Sequence, residues 1–119
     1  MGGQAASTRT ARRAIFDDAI AILECEYARE LDPGEVARRV ATSRRQLQRV
    51  FAEVGGTTFS EYLTRVRLER AAELLAEDTG PVPRIARAVG FRSASAFSVA
   101  FRRHHGVPPG AFRGRAPGR

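Results

Sequence analysis

Four polar side chains stand close together in one short stretch of the sequence and could bond to the edges of nucleic-acid bases. They are Arg44, Arg45, Gln48 and Arg49. The apolar residues of the same stretch recur at helical spacing, which predicts a helix with one apolar face and one polar face. An arginine can donate two hydrogen bonds to guanine, and a glutamine can pair in the same way with adenine. The stretch therefore predicts a helix whose polar face is able to read base pairs.

This helix belongs to a segment that occurs twice in the chain. Val36–Ala41 recurs, with similar residues, as Ile85–Gly90. In each copy a polar turn follows, one residue longer in the second copy, and then a helix with two apolar residues four positions apart. These pairs are Leu47 and Phe51, and Phe97 and Phe101. Ala37 and Ala86 supply the small side chain that two steeply crossing helices need, so the repeat predicts two helix-turn-helix units. The second helix of such a unit fits the major groove of DNA.

The rest of the pattern predicts an all-α chain of about seven helices. Asp32, Ser43 and Ser93 are good helix N-caps, and glycine or proline follows most of the predicted helices. The predicted helices cover residues 11–30, 33–40, 44–54, 59–78, 82–89 and 94–105, with a last turn through residue 112. We divide the chain into a disordered tail over 1–10, a first helix-turn-helix subdomain over 11–57, a linker helix over 58–79, a second helix-turn-helix subdomain over 80–113 and a loose tail over 114–119.

The charged residues favour an anionic partner. The net charge is +7, all 20 basic residues are arginine, and every charged residue after Asp78 is an arginine. A segment this basic repels itself unless a polyanion binds it. No apolar run is long enough to span a membrane, and no apolar stripe is left over for a membrane surface once the core is assigned. The phenylalanines are expected to be buried, whereas RNA-binding modules expose aromatic residues, so double-stranded DNA is the expected partner.

The sequence offers little chemistry of other kinds. No nucleophile motif, carboxylate pair or phosphate-binding loop stands out, so we expect neither an enzyme nor a cofactor. His104, His105 and Cys25 are too few soft ligands for a metal site. Cys25 is expected to be half-buried in the first helix, and a single cysteine suits a reducing compartment. Arg67 and Arg70 are expected to pair with glutamates of the linker helix rather than with DNA.

A characteristic set of residues runs through nearly the whole chain. It comprises Ala37, Ser43, Leu47, Arg49, Phe51, Gly56, Phe59 and Tyr62, then Arg67, Leu68, Ala71 or Ala72, Leu74 and Leu75, then Ile85, Ala86, Gly90, Phe91, Ser93, Phe97, Phe101, Arg102 and Arg103, and finally Gly106, Pro108, Phe112 and Arg113. In this combination the chain resembles the DNA-binding domain of the AraC/XylS-type transcription regulators. The resemblance implies two helix-turn-helix subdomains joined by a rigid linker helix. It also implies binding at promoters and contact with RNA polymerase.

The resemblance assigns roles to individual positions. It implies that the first unit reads bases with Arg45, Gln48 and Arg49, beside Arg44 on the same polar face. The equivalent positions of the second unit are Ala94, Ser95, Ser98 and Val99. Val99 departs from the family, in which this position is commonly basic, and Ala96 stands where an aromatic residue or histidine is frequent. The expected phosphate contacts are Ser43, Thr58, Arg92, Ser93, Arg102 and Arg103. We therefore expect most base specificity from the first unit, with the second mainly holding phosphates.

An alternative interpretation is a basic helical adaptor that binds RNA polymerase or another acidic protein without specific DNA readout. Many AraC/XylS-type proteins also carry a second domain that binds a small effector or dimerises. Because only ten residues precede the first predicted helix, we expect no such domain in this chain. The chain is therefore expected either to act alone, as a cytoplasmic monomer associated with the nucleoid, or to be a fragment of a longer protein.

Overall fold

The chain forms seven α-helices in the computed structural model, which describes residues 2–77 and 79–115. They are α1 (Gly2–Glu26), α2 (Pro33–Arg39), α3 (Arg44–Gly55), α4 (Phe59–Glu77), α5 (Val82–Ala88), α6 (Ala94–His105) and α7 (Pro109–Arg115). No strand occurs in the described residues, so the prediction of an all-α chain of about seven helices is confirmed. None of the helices in these residues is long and apolar enough to cross a membrane.

Side-chain caps fix where the helices of the repeat begin. The Ser43 hydroxyl accepts a hydrogen bond from the Gln46 amide at 3.1 Å, and the Ser93 hydroxyl accepts one from the Ala96 amide at 3.1 Å. A serine at this position satisfies a backbone amide that the first helical turn would leave without a partner. Gly56 and Gly106 end the same two helices with φ angles of 65° and 87°, a left-handed conformation that suits glycine. The predicted capping serines are thus confirmed.

The first and last helices differ from their predicted bounds. Helix α1 begins at Gly2 rather than near Ala11, so it extends into the segment that was expected to be a disordered tail. That stretch contains no proline, and extending an existing helix adds a backbone hydrogen bond for each residue fixed. Helix α1 ends at Glu26 rather than near Glu30. Helix α7 runs to Arg115, beyond the predicted turn, and residues 116–119 of the predicted loose tail lie outside the described residues.

Two compact units share the chain. The first unit comprises the residues up to Glu26 together with Leu31–Leu63, and the second comprises Tyr27–Glu30 together with the residues from Thr64 onward. Helix α4 therefore contributes its first residues to one unit and the remainder to the other. Leu68, in the part of the helix that belongs to the second unit, is buried.

The core of the first unit is built around aromatic rings. Phe51 of helix α3 meets Phe16 of helix α1 edge to face at a centroid distance of 5.2 Å, and Phe59 at 5.7 Å. Gly55 lies so close to Phe16 that a Cβ atom there would stand 2.7 Å from the ring. Helices α1 and α2 both pack on helix α3, so the inner face of α3 is held firmly and its opposite face is left outward.

The core of the second unit has the same form around helix α6. Phe97 and Phe101 are completely buried among apolar residues of helices α4 and α5. Phe91 and Phe112 pack edge to face against them at centroid distances of 5.3 Å each. Helices α5 and α7 both pack on α6, which again leaves one face of the central helix outward.

Candidate nucleic-acid interface

Each unit contains a pair of helices joined by a tight turn, α2 with α3 and α5 with α6. Ala37 and Ala86, the small residues predicted at the helix crossings, are buried. The turn of each pair is closed by corresponding backbone bonds, from the Thr42 amide to the Ala37 carbonyl at 2.9 Å and from the Phe91 amide to the Ala86 carbonyl at 3.0 Å. The two pairs therefore share one design, and the outward faces of α3 and α6 are equivalent surfaces.

The outward face of α3 carries the four polar residues singled out from the sequence. Arg44, Arg45, Gln48 and Arg49 are all exposed. On the opposite side of the helix, Leu47, Val50 and Phe51 are fully buried. The amphipathic pattern thus places these four side chains on one accessible surface, as predicted.

The three arginines of this surface have no acidic partner in the part of the chain that the structure describes. Other arginines of the first unit are neutralised. Arg39 forms a two-pronged pair with Glu26 at 2.8 and 2.6 Å, and Arg12 lies 2.7 Å from Glu53. The Glu26 carboxylate raises the pKa of Arg39 through its hydrogen bonds and charge, against a smaller effect of desolvation. The outward face of α3 is therefore a concentration of uncompensated positive charge.

A groove of about 320 Å³ lies beside this face. Arg44 and Gln48 line it together with Thr58 and Ser60 at the start of helix α4. The Thr58 hydroxyl accepts a hydrogen bond from the Glu61 amide at 3.1 Å and so caps that helix. Ser60 was not among the predicted site residues, because only the tertiary fold brings the start of α4 next to α3.

The outward face of α6 is smaller and less polar. Ser95 and Val99 are exposed, and Ala94 and Ser98 are partly exposed. Arg102 and Arg103, in the last turn of the helix, are exposed and have no acidic partner among the described residues. The structure therefore groups the predicted residues of α6 on one surface, with positive charge at one end.

Arg92 stands just before α6, and its environment was not predicted. Its guanidinium donates a hydrogen bond to the Glu30 carboxylate at 2.7 Å, and both side chains are more than four-fifths exposed. These two residues are far apart in the sequence, so no local pattern could reveal the pair. A predicted phosphate contact is thus paired with an acidic residue of its own chain.

Arg67 holds the segment that carries Glu30. Its guanidinium donates to the Tyr27 carbonyl at 2.8 Å and to the Arg29 carbonyl at 3.0 Å. Burial lowers the pKa of Arg67 from its ordinary value, and the nearby Glu30 charge opposes that shift. The expectation of a glutamate partner on the linker helix is confirmed for Arg70, which lies 2.6 Å from Glu73, whereas the Arg67 guanidinium donates to backbone carbonyls. Those bonds satisfy two backbone carbonyls just beyond the end of helix α1 at Glu26.

Cys25 is exposed, not half-buried as predicted. It follows the buried Leu23 by two residues, which turns its side chain away from the core. No group of three or more histidine, cysteine or acidic side chains that could hold a metal ion occurs in the described residues.

The fold and these surfaces define a two-unit helix-turn-helix protein. A family model described as a helix-turn-helix domain matches residues 36–115. An AraC-like transcription regulator of Streptomyces lividans is 41% identical over 95 residues, which cover 80% of this chain and 31% of that protein. The chain thus spans about a third of the length of the curated relatives it matches.

Solved structures agree with the family model. An AraC-type transcriptional regulator of Chromobacterium violaceum superposes with a TM-score of 0.81 at 31% identity, over 92% of this chain and 95% of that one. The DNA-binding domain of the global transcriptional factor AdpA, solved in complex with a target DNA, superposes with a TM-score of 0.77 at 29% identity, over 86% of this chain and 91% of that one. The chain belongs to the AraC-type helix-turn-helix family of transcription regulators.

Proposed function

We propose that this chain binds double-stranded DNA in a sequence-specific manner at promoters or operators and regulates transcription. The observation that carries the proposal is the outward face of helix α3, on which Arg44, Arg45 and Arg49 stand exposed without acidic partners beside Gln48. Leaving this much positive charge uncompensated is unfavourable unless a polyanion binds it. The structure of the AdpA DNA-binding domain in complex with a target DNA supports DNA as the partner of this chain as well.

Base reading is assigned to helix α3. The major groove is about 12 Å wide and admits one α-helix. The buried residues of α3 fix the helix, so its polar face can enter the groove without rearrangement. Arg45 and Arg49 donate paired hydrogen bonds to guanine N7 and O6, and Gln48 pairs with adenine. Arg44 lies at the edge of this face, next to the protein groove that Thr58 and Ser60 line. From there it reaches bases or the adjoining phosphates.

Helix α6 enters a second major groove but contributes mainly affinity. Ser95, Ser98 and Val99 offer few hydrogen bonds to base edges, whereas Arg102 and Arg103 suit phosphates, which orient a protein without specifying sequence. The hydroxyls of Ser43, Thr58 and Ser93 complete the proposed phosphate contacts. Each hydroxyl oxygen caps a helix by accepting a hydrogen bond from a backbone amide. The hydroxyl hydrogen therefore remains available to a phosphate oxygen.

The length of helix α4 supports the use of two successive grooves. Its 19 residues extend about 28 Å at 1.5 Å per residue. One turn of DNA is about 34 Å. We propose that a single chain reads an asymmetric site as a monomer, in the cytoplasm at the nucleoid, and contacts RNA polymerase when bound at a promoter.

The test compares affinities for specific and scrambled duplexes across a range of salt concentrations. The specific duplex is first selected from a random pool, which also gives the length and asymmetry of the site. We expect the selected duplex to be preferred by at least about 10³-fold, the typical range for specific DNA-binding proteins. The adaptor interpretation predicts equal affinities for the two duplexes, because only the counterion-release effect remains. Footprinting that shows protection of only one groove segment per chain would contradict the use of two grooves. It would leave sequence-specific binding itself standing.

A further inference from the structure

Val99 is an exposed apolar side chain in the middle of helix α6. It is 62% exposed, and no other large hydrophobic side chain among those described is as exposed. Its two neighbours along the chain, Ser98 and Ala100, are partly buried, so Val99 projects from the outward face. Valine is also stiff, because its branched Cβ strongly restricts the side-chain rotamer in a helix. The helix thus presents a rigid pair of methyl groups to its surroundings.

The repeat shows which position Val99 occupies. The capping serines, Ser43 and Ser93, align the two helices, and the buried Phe51 and Phe101 confirm the alignment further along. In this register Val99 corresponds to Arg49 of helix α3. An apolar side chain therefore stands in the second unit where the first unit carries a side chain proposed to read a base.

The surroundings of Val99 determine what could bind there. Ser95 and Ala96, one turn earlier, are exposed and short, so they permit a close approach of the helix backbone. Arg102 and Arg103 follow it and favour an anionic ligand around the apolar centre. The major groove of DNA combines these features, since phosphates flank base edges, and the 5-methyl group of thymine is the apolar group displayed there.

We propose that Val99 contacts the 5-methyl group of a thymine in the major groove that helix α6 enters, which makes it a specificity-determining residue of the second unit. The inference rests on the proposed DNA-binding function and narrows it. Contact between methyl groups removes apolar surface from water and needs no hydrogen bond. The same contact is available with 5-methylcytosine, which carries the same methyl group, and is lost with uracil and unmodified cytosine.

The experiment replaces thymines of the selected duplex one at a time with deoxyuridine, which removes only the methyl group. At one thymine of the segment that helix α6 contacts, we expect this replacement to lower wild-type affinity about threefold to fivefold. This fold-change corresponds to the burial of about one methylene-sized group. Val99→Ala should bind the thymine and deoxyuridine duplexes equally at that position. Replacing the same T·A pair by C·G should weaken wild-type binding, and 5-methylation of that cytosine should restore part of it. Val99→Arg should shift the preference at this position toward guanine.

Val107→Ala is the matched control, because it makes the same change at a partly exposed valine outside the proposed base-reading positions. It should keep the full deoxyuridine penalty. A wild-type chain that prefers the selected duplex yet is indifferent to every thymine methyl overturns the role of Val99 and leaves the proposed function standing. Persistence of the deoxyuridine penalty in Val99→Ala overturns it equally. No preference for the selected over the scrambled duplex contradicts the proposed function itself.

Discussion

Ala41 and Gly90 occupy equivalent places in the turns of the two helix-turn-helix units, and both have φ angles in the left-handed region, 60° and 103°. Their amides make corresponding hydrogen bonds, to the Arg38 carbonyl at 3.1 Å and to the Arg87 carbonyl at 3.1 Å. The turn requires this conformation in both copies, but only the second copy has the residue that adopts it without strain.

The two turns should therefore respond in opposite ways to exchanging alanine and glycine. Ala41→Gly should raise the free energy of unfolding by roughly 0.5 kcal/mol, because relief of left-handed strain is partly offset by the greater freedom of glycine in the unfolded chain. Gly90→Ala should lower the free energy of unfolding by at least about 2 kcal/mol. The new side chain would add backbone strain at a left-handed φ angle and would also clash with neighbouring atoms. A Cβ atom at Gly90 would stand 2.8 Å from the Tyr27 carbonyl oxygen and 2.8 Å from Arg67 Nε. Urea unfolding followed by circular dichroism measures both changes, and equal effects at the two positions would contradict the assignment.

Base discrimination should depend more on helix α3 than on helix α6. Gln48→Ala and Arg49→Ala should each weaken binding to the selected duplex by about 1–3 kcal/mol and relax the preference at one position. Val99→Ala should weaken it much less. Arg103→Ala is the control for a phosphate contact, because it should weaken binding to all duplexes similarly and reduce the salt dependence. Competition binding against duplexes with single base-pair changes provides the measurement. Broader loss of base preference from helix α6 changes than from helix α3 changes would reverse the proposed division of roles.

Removal of the Arg67 side chain should destabilise the second unit. Arg67→Ala leaves the carbonyls of Tyr27 and Arg29 without their half-buried charged donor, and hydrogen bonds to charged groups contribute about 1.5–3 kcal/mol each. Because water reaches part of the site and can bond to these carbonyls, we expect the free energy of unfolding to fall by about 2 kcal/mol in total. Arg13→Ala is the control, because it breaks an exposed pair with Asp17 on helix α1 and should have a much smaller effect. Thermal unfolding of the two variants gives the comparison, and matching melting temperatures would rule out a structural role for Arg67.

Neutralising Glu30 should strengthen nonspecific DNA binding. Glu30→Gln frees Arg92 from its carboxylate partner 2.7 Å away and removes a negative charge beside a proposed phosphate contact. Affinity for a scrambled duplex should rise, and the slope of log affinity against log salt should steepen by about one unit, as for one added phosphate contact. Glu73→Gln removes the same charge beside Arg70 and should leave the slope unchanged. If both variants behave alike, net charge rather than Arg92 is responsible.

Local sequence was sufficient for most of the helices. Asp32, Ser43 and Ser93 cap the helices they were predicted to cap, because an N-cap acts on amides only a few residues away. The outward position of Arg49 also followed from local pattern, since the buried Leu47, Val50 and Phe51 determine which side of α3 faces inward. Prediction was poorer at both ends of α1 and at the C-terminal end of α7, where no adjacent proline marks the boundary.

Contacts between distant residues were beyond the same reasoning. The pair of Arg92 with Glu30 and the anchoring of Tyr27 by Arg67 were both missed. Each depends on which segments the fold brings together, and a long arginine side chain has many polar groups within reach in an open sequence. The register of the repeat did identify Val99 as the counterpart of Arg49, but its 62% exposure is a property of the folded chain.

The sequence by itself determined the helices, the repeat and the residue types on the outward faces of α3 and α6, because periodicity and capping act over a few residues. The tertiary structure decided which arginines are neutralised. Ion pairing depends on distances of a few ångströms between residues such as Glu30 and Arg92, which lie far apart along the chain. The same physics leaves Arg44, Arg45 and Arg49 without an acidic partner in the described part of the chain, and that gives helix α3 its proposed role.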